Sequence, residues 1–244
     1  MTALPAANPL LFDRNNHVDI VLDSSDFALR SVSPDSLSAG SNRAVVGAEI
    51  IQFASARHLG GAAWRLDGLV RGRGGTESVS VVGQQAGLPF ILLDDALTRI
   101  DPNLIGAATR LAAVGLADDA AVEAAILERG RSLKPPMPVH PAFENKANGI
   151  LSLSWVRRAR GAWTWPEEVE LALVEEREQY DLGVGPVDRP IAQFTASTTR
   201  LSLSTTVMGE LRQSHMGAPV WVRQIGQFAK SDALFLTTIE EKPS

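Results

Sequence analysis

The sequence contains no cysteine, and this absence excludes disulfide frameworks, thiolate zinc sites and cysteine nucleophiles together. Long apolar runs are also absent, because no segment approaches the roughly 18 consecutive apolar residues that can span a bilayer. The first sixteen residues, MTALPAANPLLFDRNN, lack a basic start followed by an apolar stretch, so they do not predict a secretion signal. We therefore expect no membrane insertion by this chain.

An excess of positive charge is missing as well. The chain carries 23 Lys and Arg residues against 28 Asp and Glu residues, which gives a formal net charge of -5. A protein of this charge has no long-range positive field to attract nucleic acid, so we expect no nucleic-acid partner. The hydrophobic content of 45% and the length of 244 residues are sufficient for one large or two modest globular domains.

Recognisable catalytic and metal-binding patterns are absent from the sequence. Its four histidines are His17, His58, His140 and His215, and none of them belongs to an HxH or HExxH spacing. Paired carboxylates such as Asp94 with Asp95 are sequence neighbours, and neighbours on a strand point to opposite faces. No GxSxG elbow occurs. The sequence therefore predicts no catalytic residue, no metal site and no cofactor, and it indicates that the chain is not an enzyme.

The first half of the chain predicts a β-rich domain over residues 1–133. Short apolar runs of strand composition are separated by segments rich in Gly, Ser, Asn and Pro, and they occupy residues 18–23, 28–32, 48–56, 62–70 and 89–95. Residues 120–128 leave two interpretations open. Their alanines and a capping Asp118 or Asp119 favour a helix, whereas Gly106, Gly115 and Gly130 divide the surrounding sequence into pieces of strand length.

The proline-rich segment KPPMPVHP, residues 134–141, predicts a connector into a second domain over residues 134–244. Seven short runs follow, many with alternating polarity, at residues 139–143, 150–160, 169–176, 176–184, 200–207, 220–228 and 232–240. This number and spacing of strands indicate an immunoglobulin-like or fibronectin type III-like β-sandwich. Trp155 is the expected core residue between its two sheets. The predicted fold class is therefore mainly β.

A glycine-rich stretch, LDGLVRGRGGTE at residues 66–77, resembles a phosphate-binding loop at first sight. A phosphate loop of the form GxxxxGK[ST] needs a lysine, however, and a dinucleotide fingerprint needs a third glycine where Glu77 stands. The stretch therefore predicts a strand followed by a turn. Arg71, Arg73 and Glu77 are candidates for contacts with neighbouring backbone or with another subunit.

Aromatic residues provide an alternative function, that of a carbohydrate- or receptor-binding module. Trp163 and Trp165 lie beside a proline in RGAWTWPEE, which is typical of a loop, and Trp221 is a third candidate. Exposed rings at these positions would offer stacking faces to a glycan or receptor.

Read in order, the chain resembles the C-terminal region of the large baseplate hub proteins of gene transfer agents and related siphophage-like tails. The residues that carry the resemblance are NNHVDIVLDSSDFALRSVS, GAEIIQF, LDGLVRGRGGTE and PFILLDD in the first half, and PPMPVHPAF, LSLSWVRRARGAW and EEREQYDL in the second. The second group is similar to the fibronectin-type tail domain of that family. Where the family pattern leads us to expect a histidine between Glu77 and Pro89, this sequence has none.

The resemblance implies a structural component of a phage-like tail tip or baseplate. Its expected partners are other tail or baseplate subunits, with a glycan of the host surface as a further candidate. Its expected location is the tail of a phage-like particle, after synthesis in the bacterial cytoplasm.

Overall fold

The structure is a computed structural model, and it describes residues 1–98, 100–101, 110–126, 130–160 and 172–240. The chain divides into two compact units, Met1–Arg131 and Ser132–Ser244, whereas the predicted boundary falls after residue 133. Antiparallel sheets dominate both units, which confirms the mainly β fold class. Within the residues described, no helix has the length and apolar character needed to cross a membrane.

Unit 1 is built on a five-stranded antiparallel sheet in the order β1-β4-β3-β2-β5. Its strands are β1 (Phe12–Val21), β2 (Arg43–Val46), β3 (Glu49–Gly60), β4 (Ala63–Arg73) and β5 (Phe90–Leu92). The long β3–β4 hairpin forms its centre. Most of the sheet follows from strand-forming runs that are evident in the sequence.

The core of unit 1 lies between this sheet and the chain segments that cross one of its faces. Its buried residues come from the strands β1 to β4 and, with Leu4 and Leu29, from outside them, namely Leu4, Val18, Ile20, Leu29, Ala44, Val46, Ile51, Phe53, Leu66 and Leu69. Two short helices, α1 (Pro34–Ser38) and α2 (Glu77–Ser80), interrupt the connections. A separate two-stranded ribbon pairs β6 (Arg110–Ala113) with β7 (Val122–Ala125).

Unit 2 contains seven described strands in two antiparallel sheets, with orders β11-β10-β13-β14 and β12-β9-β8. They are β8 (Val139–Asn145), β9 (Leu151–Val156), β10 (Tyr180–Val184), β11 (Ala192–Ala196), β12 (Arg200–Leu203), β13 (Pro219–Gln224) and β14 (Leu234–Thr238). Residues from both sheets share one buried core. This arrangement is the predicted β-sandwich.

Trp155 occupies that core, as predicted. Only 3% of the residue is exposed, and its ring meets the edge of the Tyr180 ring at a centroid distance of 5.0 Å. The pair joins β9 of one sheet to β10 of the other. A third helix, α3 (Thr205–Ser214), adds Met208 and Leu211 to the same core.

Two predicted strands are absent from the described residues, and a third is shorter than predicted. Residues 28–32 form a loop that is tied to β3 by isolated hydrogen bonds, such as Val32 N to Ala54 O at 2.8 Å. Residues 172–176 form no strand, and residues 169–171 lie outside the described part of the chain. The run at residues 200–207 ends as a strand at Leu203, because the Ser204 side chain accepts a hydrogen bond from Val207 N and begins α3.

The ambiguous residues 120–128 adopt the strand alternative where they are described. Val122–Ala125 forms β7, and Arg110 of β6 pairs with Glu123 across the ribbon at 2.7 Å. Residues 127 and 128 lie outside the described part of the chain. Local alanine content therefore did not determine the conformation, because pairing with β6 favours the extended backbone.

Gly209 predicts a simple gain in stability. It lies inside α3, and a Cβ atom added there would meet nothing within 4 Å. Because glycine loses more backbone entropy than alanine in a helix, Gly209→Ala should raise the free energy of unfolding of unit 2 by about 0.5–1 kcal/mol. Urea denaturation would measure this change, and a loss of stability would contradict the position of the glycine on an open helix surface.

Candidate functional site

Arg71, the first arginine of RGRGGTE, lies near the end of β4 with its whole side chain buried. Its Nε and Nη2 atoms donate to the two carboxylate oxygens of Glu49 at 2.8 and 2.9 Å. Nη1 donates to Oδ2 of Asp13 at 3.0 Å. Nη2 also donates to the backbone carbonyl of Pro5 at 3.0 Å. One guanidinium thus joins the N-terminal segment, β1, β3 and β4 through charged hydrogen bonds.

The next residues of the motif complete this buried cluster. The backbone N–H of Gly72 donates to Oε1 of Glu49 at 2.9 Å. Gly72 has a φ of +63°, and a Cβ atom there would lie 2.8 Å from the Cα of Glu77 and 2.9 Å from the Cβ of Pro9. Both the backbone conformation and the close approach require glycine. Packing inside unit 1 therefore explains why glycine follows Arg71 in this motif.

Thr76 fastens the turn that follows. Its Oγ1 accepts from the backbone N–H of Ile50 at 3.0 Å and donates to the carbonyl of Arg73 at 2.7 Å. The hydroxyl therefore connects the start of β3 to the end of β4. Together with the Arg71 contacts, it makes RGRGGTE an internal framework of the sheet.

Of the two alternatives predicted for Arg71, contact with neighbouring backbone or with another subunit, the structure shows contacts within the chain, including the backbone carbonyl of Pro5. The exposed side-chain fraction of Arg71 is 0%, and its hydrogen-bond partners all belong to unit 1. Arg73 and Glu77 are partly exposed on the same turn, so a subunit contact through them stays a prediction. The sequence analysis did not identify Glu49 and Asp13 as the partners of Arg71. A carboxylate at the start of the apolar run EIIQF nevertheless indicates a buried charged partner.

Asp13 makes this cluster sensitive to acid. Burial by itself raises the pKa of Asp13, but hydrogen bonds from Asn16, Arg71 and Asn15 outweigh burial and hold the pKa below its usual value. Because the pKa is lower in the folded state, ionised Asp13 stabilises the fold above the unfolded pKa of about 3.9. That contribution is lost as the pH falls through the folded-state pKa.

We therefore expect the stability of unit 1 to fall more steeply below about pH 4 in the wild type than in Asp13→Asn, which removes the titrating group. Urea denaturation between pH 6 and pH 2, with hydrogen exchange of β3 and β4 as the signal of unit 1, would measure this. Parallel pH profiles for the two proteins would contradict an ionised, hydrogen-bonded Asp13.

Trp221 is also placed differently from its prediction. The residue is 2% exposed, and its Nε1 donates to the carbonyl of Gly185 at 2.9 Å. Its ring lies over Gly183 of β10, where an added Cβ atom would overlap the ring, and the guanidinium of Arg223 lies 5.0 Å from the ring centroid. The expectation that Trp221 offers an exposed stacking face is corrected, because the residue is buried.

Trp163 and Trp165 lie outside the described residues, so the glycan- or receptor-contact role proposed for them stays a prediction. Described residues on either side of this part of the chain form an ion pair, in which Nε of Arg160 lies 2.6 Å from Oε1 of Glu175. Burial raises the pKa of Glu175, but the hydrogen bonds from Arg160 and Gln227 outweigh burial and lower it. The backbone N–H of Gln227 donates to Oε2 of Glu175 at 2.9 Å. The hydrogen bond from Gln227 to Glu175 therefore ties the connection between β9 and β10 to the one between β13 and β14.

In the part of the chain that the structure describes, no group of three or more histidine and acidic side chains is arranged to hold a metal ion. The arrangement around Arg71 is instead a charged framework whose ligands are protein groups. It holds backbone segments of unit 1 in fixed positions relative to one another.

Comparison with known proteins gives one family match. The family model described as Rcc01698-like, C-terminal, matches residues 1–91, which include the Arg71 cluster and the RGRGGTE turn. No curated protein matches this chain in sequence. Among solved structures, domains d3–d4 of the rat CD45 extracellular region align with 8% sequence identity and a TM-score of 0.29, over 60% of this chain and 72% of that one. A similarity of that TM-score carries no information on function.

Proposed function

We propose that this chain is a structural module of a phage-like tail tip or baseplate, of the kind found in gene transfer agents, and that it acts by assembling with neighbouring tail subunits. The observation that carries the proposal is the use of RGRGGTE as a buried framework in the region that the family model matches. The motif that carries the resemblance to baseplate hub proteins therefore has an architectural use in this chain.

A motif whose side chains only hold the fold together favours a structural role for the protein over a catalytic role. The charged group of the motif that is buried in unit 1, the guanidinium of Arg71, is paired with carboxylates from elsewhere in the unit, namely both oxygens of Glu49 and one oxygen of Asp13. Charged groups that are paired in this way stabilise the fold without exchanging protons or ligands. A β unit followed in the chain by a β-sandwich suits a protein that offers shaped surfaces to its neighbours.

Deletion of the gene in the source bacterium, followed by purification of particles, tests the proposal. We expect antibody against this chain to label the distal end of the tails in the parent strain. Particles from the deletion strain should lack a complete tail tip, and a wild-type copy of the gene should restore it. Normal tails in the deletion strain, or a chain that is absent from purified particles, would contradict the proposed function.

A further inference from the structure

The ribbon formed by β6 and β7 lies outside the buried core of unit 1. Within the described residues it is a sheet of two strands only, and Leu111 is the one strand residue that is partly covered, since the others are exposed. A ribbon of two strands is at best marginally stable in water unless another layer packs on it. The ribbon therefore needs a covering surface that the described residues of unit 1 do not supply.

The register of the ribbon places its apolar side chains on one face. Residues that lie directly opposite each other point to the same side of a sheet, and successive residues of a strand point to opposite sides. Leu111 lies opposite Ala124, and Ala113 lies opposite Val122, which is 71% exposed. These four side chains are direct neighbours on one side of the ribbon, and we call them the ribbon face.

The opposite face of the ribbon is polar. Arg110 lies opposite Ala125, and Ala112 lies opposite Glu123. Nη2 of Arg110 and Oε2 of Glu123 form an ion pair at 2.7 Å, and more than half of each of these two side chains is exposed. A ribbon with an ion pair on one face and apolar side chains alone on the other is typical of a sheet that has one face in water and one face packed.

The chain on both sides of the ribbon is fastened to the sheet of unit 1. Before the ribbon, the backbone N–H of Leu93 donates to the carbonyl of Arg43 in β2 at 2.8 Å. After it, Arg131 packs on the RGRGGTE turn, where Gly75 has a φ of +82° and an added Cβ atom would overlap the carbonyl of Arg131. Arg131 follows the end of β7 by six residues, so the two are at most about 22 Å apart. The motif therefore anchors the ribbon.

The ribbon face is too small to hold two molecules together by itself. Its Cβ atoms lie about 5 Å apart across the two strands and about 7 Å apart along each strand. Stable protein interfaces bury roughly 800 Å² on each partner, which is far more than four small side chains provide. Contact through the ribbon face therefore forms as one part of a larger contact, as it does for a subunit of a large particle.

Charge on the ribbon indicates the type of partner. Residues 110–126 contain one basic residue, Arg110, which is paired with Glu123, and two further acidic residues, Asp118 and Asp119. Both aspartates lie in the exposed turn at the tip of the ribbon. The whole chain has a formal net charge of -5, so a second copy would bring like charges together. A different polypeptide with basic side chains beside an apolar surface is the complementary partner.

We propose that the ribbon face packs on an apolar surface of a different neighbouring subunit, and that Asp118 and Asp119 at the tip meet basic side chains at the border of that surface. This inference rests on the proposed function and assigns part of the assembly contact to the ribbon. The RGRGGTE turn then has a second use, because it holds the end of the segment that carries the ribbon.

Two neighbouring alanines of β7 provide a matched test. Ala124 belongs to the ribbon face and Ala125 to the opposite face, and both are exposed. Ala124→Asp places a carboxylate in the proposed contact, whereas Ala125→Asp makes the same change on the side of Arg110. Each variant replaces the wild-type gene, and quantitative mass spectrometry measures the amount of chain in purified particles. Thermal unfolding of each purified protein checks that unit 1 and unit 2 fold.

We expect Ala124→Asp to enter particles about tenfold less than wild type and Ala125→Asp to enter at the wild-type level. Val122→Asp, a second substitution in the ribbon face, should behave like Ala124→Asp and decides the question if Ala124→Asp fails to fold. Wild-type incorporation of the ribbon-face variants, or an equal loss in Ala125→Asp, would overturn the inference and leave the proposed function intact. Absence of the wild-type chain from particles would overturn both.

Two further measurements test the choice of partner. Asp119→Lys should also lower incorporation, because it would place a positive charge against the basic border of the partner, and an increase in incorporation would overturn that border. Sedimentation of the purified wild-type chain should show a monomer at micromolar concentration. A dimer that Ala124→Asp dissociates would overturn the choice of a different polypeptide and would identify a second copy as the partner of the ribbon face.

Discussion

Arg71→Ala should lower the free energy of unfolding of unit 1 by about 3–5 kcal/mol, which is the usual cost of removing one partner from a buried ion pair. The substitution would leave the carboxylates of Glu49 and Asp13 without their shared guanidinium, and the Glu49 side chain has no exposure to water. It would also remove the donor to Pro5. Arg71→Lys should recover only part of the loss, because an ammonium group cannot reproduce the bidentate contact with Glu49.

Arg65→Ala is the matched control for this experiment. Arg65 lies on the same strand and pairs with Asp19 of β1 through two hydrogen bonds, but both side chains are partly exposed. Partly solvated ion pairs contribute less than buried ones, so the loss of stability should be much smaller. Hydrogen exchange of β3 and β4 in urea would report the stability of unit 1. Equal effects of the two substitutions would contradict the special role of Arg71.

Gly183→Ala should lower the free energy of unfolding of unit 2 by about 3 kcal/mol, at the upper end of the usual cost of overpacking. The new Cβ atom would overlap the ring of Trp221, which is held by its hydrogen bond to Gly185 and by the contact with Arg223. The ring would have to leave its place on the sheet. Urea denaturation followed by tryptophan fluorescence would detect both the loss of stability and the displacement of the ring.

A double-mutant cycle separates this steric effect from a general intolerance of alanine at the position. In a Trp221→Ala background the space above Gly183 is open, so adding Gly183→Ala should cost little further stability. Gly209→Ala in α3 serves as the control for a glycine with free space around it. Additive losses in the cycle would contradict the stacking of Trp221 on Gly183.

Much of the fold could be predicted because its strands have clear local patterns. The alternation in LSLSWV places Leu151, Leu153 and Trp155 on one face, and all three are buried in the sandwich. The strand Ala192–Ala196 was missed because only alternate small and aromatic residues mark it. The helix α3 was missed because the alternating run RLSLS continues directly into it, although Ser204 is a good N-cap residue.

The contacts within the candidate site could be predicted less well from the sequence. The absence of a phosphate-binding pattern in RGRGGTE is visible in the residues themselves. The partners of Arg71 are not, because Glu49 and Asp13 lie 22 and 58 residues away along the chain. A register shift in each neighbouring strand pair brings these side chains together. Burial of Trp221 depends similarly on the absence of a side chain at Gly183, across the sheet on another strand.

A reconstruction of the purified particles tests the central claim most directly, namely that RGRGGTE is an internal framework of a tail-tip subunit. The account predicts this chain at the distal end of the tail. It also predicts that Arg71 contacts only Glu49, Asp13 and Pro5 of its own chain. Absence of the chain from the distal end of the tail, or an Arg71 side chain bonded to a neighbouring subunit, would contradict the account.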